Sequence, residues 1–288
     1  MKSSLQVIGL TTLAMLAFAA NSLLCRLALQ QEAIDPASFS SIRLVCGALT
    51  LAVMLRIRAQ PTQSPLPVRA DWSAAAMLLT YMVFFSFAYI SLSAGTGALI
   101  LFGAVQLTMF GMGLRSRERF TALAWLGLAL AVAGLVYLVL PGVAAPPLSG
   151  AMLMAVAGVA WGVYSLRGRA VADPLATTAG NFARASPFAL AISLLFIDKA
   201  HLNASGLALA AASGALTSGM GYVIWYAVLP QLSALRAATV QLSVPLLAAI
   251  GGVVFLSEAL TPRLTLASTA ILGGIALVLV RRSHRPRT

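Results

Sequence analysis

The hydrophobic positions of this 288-residue chain form long runs that polar residues interrupt only briefly. A helix of about 20 predominantly apolar residues is long enough to cross the hydrocarbon core of a bilayer. The longest polar stretch, residues 56–71, is rich in proline and too short to fold by itself. The pattern therefore predicts an all-α polytopic membrane protein with ten membrane-spanning helices, over residues 4–29, 36–56, 72–93, 95–114, 121–140, 149–168, 175–197, 206–229, 233–256 and 262–280.

The first apolar run has two interpretations. Ala17 and Ala19 have the spacing of small residues at a signal-peptide cleavage site, so the run resembles a cleavable secretory signal. However, its apolar character continues to about Leu29, which is long enough to span the bilayer. A first helix that is retained in the membrane is the favoured interpretation.

The composition excludes a water-soluble globular enzyme. Hydrophobic residues make up 60% of the chain and charged residues 9%, and the mean hydropathy is +0.94, whereas soluble domains have about 25% charged residues. The net charge of +12 is no sign of a nucleic-acid partner, because that would need a basic face on a polar domain. Cys25 and Cys46 lie in apolar runs, so neither a disulfide framework nor a metal site is expected, and no cofactor is implied.

The positive charges predict the orientation of the chain in the membrane. With the N-terminus inside, fourteen of the nineteen Lys and Arg residues fall on the inner side and three on the outer side. Cytoplasmic loops carry such an excess of positive charge. We therefore expect both termini in the cytoplasm and, in a bacterium, a multi-pass protein of the inner membrane.

The chain contains an internal repeat. A shift of 140 residues places Glu118-x-x-Thr121 on Glu258-x-x-Thr261, and a shift of 138 places Asp35-Pro36 on Asp173-Pro174. These matches are informative because the chain has only seven acidic residues. They predict two five-helix repeats, residues 1–147 and 148–288, within one membrane domain. Since five is odd, the second repeat is inverted, as in many secondary transporters. A channel is the alternative, but no filter loop or ring of charge is repeated.

Nearly the whole chain resembles a known family, most clearly in its later part. The run from Pro245 through Glu258 to Thr261, followed by Gly273 and Gly274, is similar to EamA-type members of the drug/metabolite transporter superfamily. A weaker copy without the proline lies in the first repeat. The resemblance implies a 5+5 inverted repeat and a central path formed by the first, third, fourth, sixth, eighth and ninth helices. The aromatic content further resembles the YddG-type exporters of aromatic amino acids.

The acidic residues predict how transport is driven. All seven lie in loops or at helix ends, and both histidines lie outside the spans. Proton-driven carriers hold a carboxylate or histidine inside the bundle. We therefore expect a facilitator or exchanger without a proton-coupling carboxylate in mid-membrane. For Glu118 and Glu258 a helix-end anchor or loop ion pair is the favoured role, and gating is the alternative.

Two arginines, Arg43 and Arg184, lie within predicted spans, where a charge is costly and faces the protein interior or a membrane surface. For Arg43, binding of a substrate carboxylate and a structural pairing are equally compatible with the sequence. For Arg184 a structural role is favoured. Both residues lie on helices outside the central path that the resemblance implies.

Uncharged polar and aromatic residues could line a path. Packing between helices or against lipid is the alternative, but the aromatic residues recur on helices that are equivalent by the repeat, and several lie too deep for an interfacial belt. A pocket of this kind would stack on a flat side chain or hold a cation over a ring. With Arg43, the candidate substrate-binding residues are Asn21, Tyr81, Phe85, Tyr89, Gln106, Trp161, Tyr164, Tyr222, Trp225 and Gln241.

Three residues are candidates for movement. Pro245 removes a backbone hydrogen bond in the ninth span and should kink it near Gln241. Gly111 and Gly158 are small enough to let helices approach and slide, although close packing alone also explains them.

The sequence as a whole predicts an exporter of amino acids, aromatic ones first, that works by alternating access. Its partners would be a small-molecule substrate and the lipid bilayer, and it would be a monomer or a weak homodimer. An exporter of aromatic or quaternary cations, or of other small metabolites, is the alternative within the class. An integral-membrane enzyme is disfavoured, because no histidine lies in any span. A purely structural subunit is also disfavoured, because it would not need the polar residues that this chain has in mid-membrane.

Overall fold

The computed structural model describes residues 4–58, 71–115, 120–168, 171–232 and 234–280. Within these residues the chain is helical, with one isolated β-bridge between Ile34 and Leu202. Ten helices, α1 to α10, follow one another along the chain: α1 Ser4–Gln30, α2 Pro36–Arg58, α3 Trp72–Ala88, α4 Ala94–Arg115, α5 Ala122–Val139, α6 Leu148–Arg167, α7 Pro174–Leu195, α8 Ala204–Gln231, α9 in two segments, Ala234–Gln241 and Ser243–Leu256, and α10 Pro262–Val280.

Short polar side chains determine where several helices begin. Asp71, Thr121, Asp173 and Asn203 each accept a hydrogen bond from the backbone N–H three residues further on. A cap of this kind satisfies one of the N–H groups that lack a partner in the first turn of a helix. Asp71 and Asp173, two of the acids that the sequence places at helix ends, therefore have a structural role there.

The prediction of an all-helical polytopic chain is confirmed. Eight of the helices are long and apolar enough to cross a membrane, and α3, with 17 residues, is a shorter apolar helix. Each of the ten helices overlaps one of the predicted spans. The division into five plus five inverted helices and the cytoplasmic position of both termini stay predictions.

Three helices differ from the predicted spans. α3 ends at Ala88 instead of residue 93, because the chain turns at Tyr89 and the side chain of Tyr89 donates a hydrogen bond to the carbonyl of Ala94. α8 contains a π-helical segment, Ser213–Met220. α9 is interrupted at Leu242, three residues before Pro245, whose ring supplies no N–H to continue the helix.

Seven helices surround the centre of the molecule. α3, α6, α4, α9, α1, α8 and α2 contact one another in that order, and α2 closes the ring by packing against α3. Six of these helices are the ones that the family resemblance implies for the central path, and α2 is the seventh. α7 packs on the outside of α2 and α3, whereas α5 and α10 form a pair that contacts α4 from the other side. The centre of the ring is where a solute path between the two halves would lie.

Two adjacent glycines of α10 give a matched test of this packing. A methyl group on Gly274 would meet the carbonyl of Gly127 and lie 2.7 Å from the amide nitrogen of Ala131, whereas no described atom lies within 4 Å of one on Gly273. We expect Gly274→Ala to lower the stability of the protein by about 1–3 kcal/mol, since a close-packed contact has no room for the methyl group. Gly273→Ala should leave the thermal unfolding midpoint in detergent unchanged or slightly raised. Equal midpoints for the two variants would contradict the close approach of α5 and α10.

Candidate functional site

Arg43 lies at the centre of the ring of helices. Its side chain projects from α2, and the residue is 1% exposed. Nε donates a hydrogen bond of 3.0 Å to Ser218 Oγ, and Nη2 donates one of 3.1 Å to Tyr81 Oη. The guanidinium carbon lies 5.3 Å from the centre of the Tyr81 ring and 5.0 Å from that of Phe85. Hydrogen bonds and aromatic faces together make this buried charge tolerable.

The π-helical segment of α8 supplies the hydroxyl groups of the site. Ser213 Oγ donates to Asn21 Oδ1 at 2.7 Å, and Thr217 Oγ1 donates to the same oxygen at 3.2 Å. Asn21 Nδ2 in turn donates to Tyr81 Oη at 3.4 Å. π-Helical turns are uncommon and are frequent at functional sites. Asn21 and Arg43 are thus joined through one network that spans α1, α2, α3 and α8.

Aromatic side chains enclose this network. The Trp161 ring lies 4.8 Å from that of Tyr81 and 5.2 Å from that of Tyr222. Phe85 lies 5.4 Å from Tyr81, and Phe18 lies 6.0 Å from Tyr222. Offset and edge-to-face arrangements of this kind are the favourable ones. The structure therefore brings together Tyr81, Phe85, Trp161 and Tyr222, which the sequence singled out on three different helices.

A small cavity lies inside the aromatic enclosure. Its volume is about 20 Å³, which is room for about one water molecule. Two buried polar atoms beside it, Arg43 Nη1 and Tyr222 Oη, have no hydrogen-bond partner among the described residues. Buried polar groups are nearly always paired, so each unpaired atom calls for an explanation. Both atoms can donate hydrogen bonds, and a bound solute would satisfy them.

A second cavity lies towards the end of the molecule that the distribution of positive charges predicts to be cytoplasmic. It has a volume of about 50 Å³, and Trp225, Tyr226 and Gln241 are among its lining residues. Trp161 and Tyr222 line both cavities, so these two rings form the partition between them. Tyr164 lies next to this region, 5.5 Å from Trp161, and lines a further cavity with Asn181.

Several candidates lie away from the centre. Gln106 faces a cavity between α4, α5 and α10. Tyr89 lies at the end of α3, where its ring contacts that of Phe85 at 4.7 Å. Gly111 is exposed and has no described neighbour within 4 Å of where a methyl group would stand. Gly158 packs against Leu101 and Ala104 of α4. These positions give no geometric support to the predicted roles of Gln106 in substrate binding and of Gly111 in gating.

The other arginine within a span, Arg184, lies outside the ring. Its guanidinium carbon is 6.0 Å from the Trp72 ring near the start of α3, and its side chain passes over Gly180. The side chain thus reaches back along α7 towards the beginning of the helix. The two arginines that look alike in the sequence therefore have different environments.

Glu258 joins the two halves at the opposite end from the second cavity. Its carboxylate accepts a hydrogen bond from Arg26 Nε at 3.2 Å and from the Ala94 amide at 2.8 Å. Arg26 Nη1 also donates to the carbonyls of Tyr89 and Ile90, at 2.9 and 3.0 Å. One ion pair therefore connects α1, the end of α3, the start of α4 and the end of α9. The expected ion pair of Glu258 is present, whereas Glu118 lies outside the described residues.

Two further ion pairs lie at the end of the molecule that is predicted to be cytoplasmic. Asp71 pairs with Arg167, with nitrogen–oxygen distances of 3.0 and 3.1 Å, and Asp173 pairs with Arg58. Hydrogen bonds from Arg167 hold the pKa of Asp71 at about 2, and those from Arg58 hold the pKa of Asp173 below its usual range. Both carboxylates therefore stay ionised at physiological pH and do not carry protons.

Sequence reasoning missed the three hydroxyl residues of the site, Ser213, Thr217 and Ser218. Thr217 follows Ser213 by four residues, but Ser218 follows Thr217 directly, so the three do not share one face of an α-helix. The π-helical turn brings all three to the side of α8 that meets α1 and α2. Glycine at 214 was a usable signal, because a methyl group there would meet the backbone of Arg43. It marks a close approach of α2 and α8.

Comparisons with known proteins agree with this architecture. A model of the EamA-like transporter family matches residues 148–280. An uncharacterised protein of Pseudomonas aeruginosa is 54% identical over 276 residues, which cover 96% of this chain and 95% of that protein. An uncharacterised transporter of Archaeoglobus fulgidus is 25% identical over 256 residues, which cover 86% and 90%. A crystal structure with 18% identity has the same fold, with a TM-score of 0.66 and coverage of 98% of this chain and 100% of the other.

Residues 148–280 therefore belong to the EamA-like transporter family, within the drug/metabolite transporter superfamily. Membership indicates a multi-pass membrane transporter of small molecules and favours a transporter over an enzyme. The family does not specify the solute, so the chemistry of the central site must be used to propose one.

Proposed function

We propose that the protein exports amino acids, aromatic ones first, across the bacterial inner membrane by alternating access. The proposal depends mainly on Arg43 Nη1, which has no hydrogen-bond partner in the described part of the chain and lies buried within an aromatic enclosure where the helices meet. Arg43 would bind the carboxylate through charge-assisted hydrogen bonds. The rings of Trp161 and Tyr222 would receive the aromatic side chain.

The size of the central cavity supports a moving structure. An amino acid needs far more than the 20 Å³ beside Arg43, so the helices must separate before a solute can enter. The break of α9 at Leu242 next to Pro245 supplies a hinge for that movement. On the orientation that the charges predict, parting Trp161 from Tyr222 opens the cytoplasmic side, and breaking the Arg26–Glu258 pair opens the outer side. Gly158 would act in the close contact between α6 and α4.

The energy for transport would come from the gradient of the solute itself. Among the described residues, no acidic or histidine side chain lines the central cavity. Counterflow in proteoliposomes tests the proposal: all amino acids and several aromatic cations are offered, with and without a pH gradient. We expect exchange of aromatic solutes and no accumulation driven by protons alone. Transport of aromatic cations only would favour the alternative, in which the rings bind the charge.

Glu258→Gln tests the outer closure. The substitution removes the charge that Arg26 and the Ala94 amide bind, and loss of such charge-assisted contacts costs about 1–2 kcal/mol in a partly exposed site. The outward-open state should become roughly five- to thirtyfold more populated. Buried Cys25, adjacent to Arg26, reports the opening in a Cys46→Ala background. Its labelling by an impermeant maleimide from outside should accelerate accordingly.

The exposed acid Asp198 provides the control for this test. It lies in the short turn Ile197–Lys199, at the same end of the molecule as Glu258. Asp198→Asn removes one negative charge without touching the Arg26 contact, so the labelling rate of Cys25 should not change. Equal rates in the Glu258→Gln and Asp198→Asn variants would show that the ion pair does not hold the outer side closed.

A further inference from the structure

The hydrogen-bond inventory of the central site restricts the charge of its ligand. This restriction rests on the proposed function, in which the solute binds beside Arg43, and it ranks aromatic solutes by their charge. A zwitterionic amino acid brings a carboxylate, which needs donors, and an ammonium group, which needs acceptors or a negative charge. The two needs can be compared with the atoms that the site offers.

Donors are in surplus. Arg43 carries the only charge among the described residues that line the central cavity, and its Nη1 has no partner. The Tyr222 hydroxyl also lacks a partner in the described part of the chain and can donate. A carboxylate placed between them would receive hydrogen bonds from both residues and would neutralise the guanidinium. Without such a ligand, Arg43 has no counter-charge inside the cavity.

The acceptors beside Arg43 are uncharged amide and hydroxyl oxygens, and three of them are already engaged. Asn21 Oδ1 accepts from both Ser213 and Thr217. Tyr81 Oη accepts from Arg43 and from Asn21 Nδ2. Ser218 Oγ accepts from Arg43 Nε.

Two aromatic faces of the site are already covered by a cation. Arg43 itself lies over the rings of Tyr81 and Phe85. An ammonium group would therefore meet a like charge, and no carboxylate among the described residues lines the cavity to offset it. Only uncharged groups, such as the Trp161 ring, would compensate for its desolvation.

We infer that the solute that the central site binds best is an aromatic carboxylic acid with a net charge of −1 and no ammonium group, such as an aromatic hydroxy or oxo acid, and that zwitterionic aromatic amino acids are weaker substrates. The carboxylate pairs with Arg43 and Tyr222, and the ring stacks on Trp161. In a facilitator each cycle then moves one negative charge across the membrane. The distribution of the solute follows the membrane potential as well as its concentration.

L-3-Phenyllactate and L-phenylalanine are matched probes, because a hydroxyl group in the first replaces the ammonium group of the second. Uptake of each is measured in proteoliposomes, with protein-free vesicles as the blank. We expect at least about tenfold higher kcat/KM for phenyllactate. With an inside-positive potassium diffusion potential of about 60 mV, phenyllactate should accumulate about tenfold, since one charge gains about 1.4 kcal/mol. Phenylalanine should not accumulate.

The Tyr222 hydroxyl gives an independent readout. Tyr222→Phe removes one donor to the carboxylate, which both probes carry, and should raise the KM for each about tenfold. Tyr137→Phe, on the exposed surface of α5, is the control and should leave both unchanged. Faster transport of phenylalanine than of phenyllactate would overturn the inference but leave the proposed aromatic transport intact. The same holds if phenyllactate accumulates to the same level with and without the potassium diffusion potential. Transport of neither probe would count against the proposed function itself.

Discussion

Arg43→Gln is expected to reduce transport of aromatic solutes by about 100-fold. The substitution removes the charge that would bind the carboxylate and two or more charge-assisted hydrogen bonds, each of which contributes about 1.5–3 kcal/mol. Arg43→Lys should retain part of the activity, because lysine keeps the charge but lacks the planar fork that reaches Ser218 and Tyr81 together. Initial rates over a range of solute concentrations would show the loss mainly as a raised KM.

The matched control is Arg184→Gln. Both arginines lie within helices of the membrane domain, but Arg184 lies beside Trp72 outside the ring of helices. Its replacement should leave the KM for aromatic solutes unchanged. Elution of all variants as a single species in gel filtration would show that they fold. If Arg43→Gln transported aromatic solutes with a normal KM, Arg43 would be a structural residue and both the binding site and the inferred charge of the solute would be wrong.

Trp161→Ala is expected to have the second largest effect. The Trp161 ring contacts both Tyr81 and Tyr222, and it separates the central cavity from the cavity with Gln241. Its loss removes the surface on which an aromatic solute would stack, worth about 1–3 kcal/mol, and should lower kcat/KM about 10- to 100-fold. Tyr81→Ala should have a similar effect, because it also removes a hydrogen-bond partner of Arg43. Trp161→Phe should retain most of the transport.

Trp125→Ala is the control for the loss of a large ring. Trp125 is 48% exposed on α5, outside the ring of helices, so its removal should not affect the KM. The comparison is made on aromatic and small aliphatic solutes in the same proteoliposomes. Normal aromatic transport in both Trp161→Ala and Tyr81→Ala would move the site away from α3 and α6.

The sequence predicted the helices closely because membrane spans have a strong signal. About 20 apolar residues are required, and polar residues or proline mark the connections. The deviations have local causes. α3 ends five residues early where Tyr89 folds under the start of α4, and α8 becomes π-helical where it meets α2. Such adjustments depend on a neighbouring helix and leave no pattern in the segment itself.

The candidate site was only partly predictable. Tyr81 and Phe85 were identified from their spacing of four residues, and Trp161 and Tyr222 from their depth in the spans. The structure brings all four together. Gln106 was expected at the centre and faces the α5–α10 pair instead. In an apolar helix that contacts both lipid and protein, hydrophobic periodicity does not define which side faces inward.

The sequence by itself determined the class of architecture, the shortage of acids within the spans and the set of aromatic residues available to a site. These follow from the energetics of transfer into a bilayer, which act on each segment separately. Only the tertiary structure decided that Arg43 occupies the centre, that Arg184 does not, and that Glu258 joins the two halves. Rotation of each helix about its axis is set by contacts between distant segments. In an apolar environment, the rotation of a helix depends on the few polar side chains that find hydrogen-bond partners on neighbouring helices.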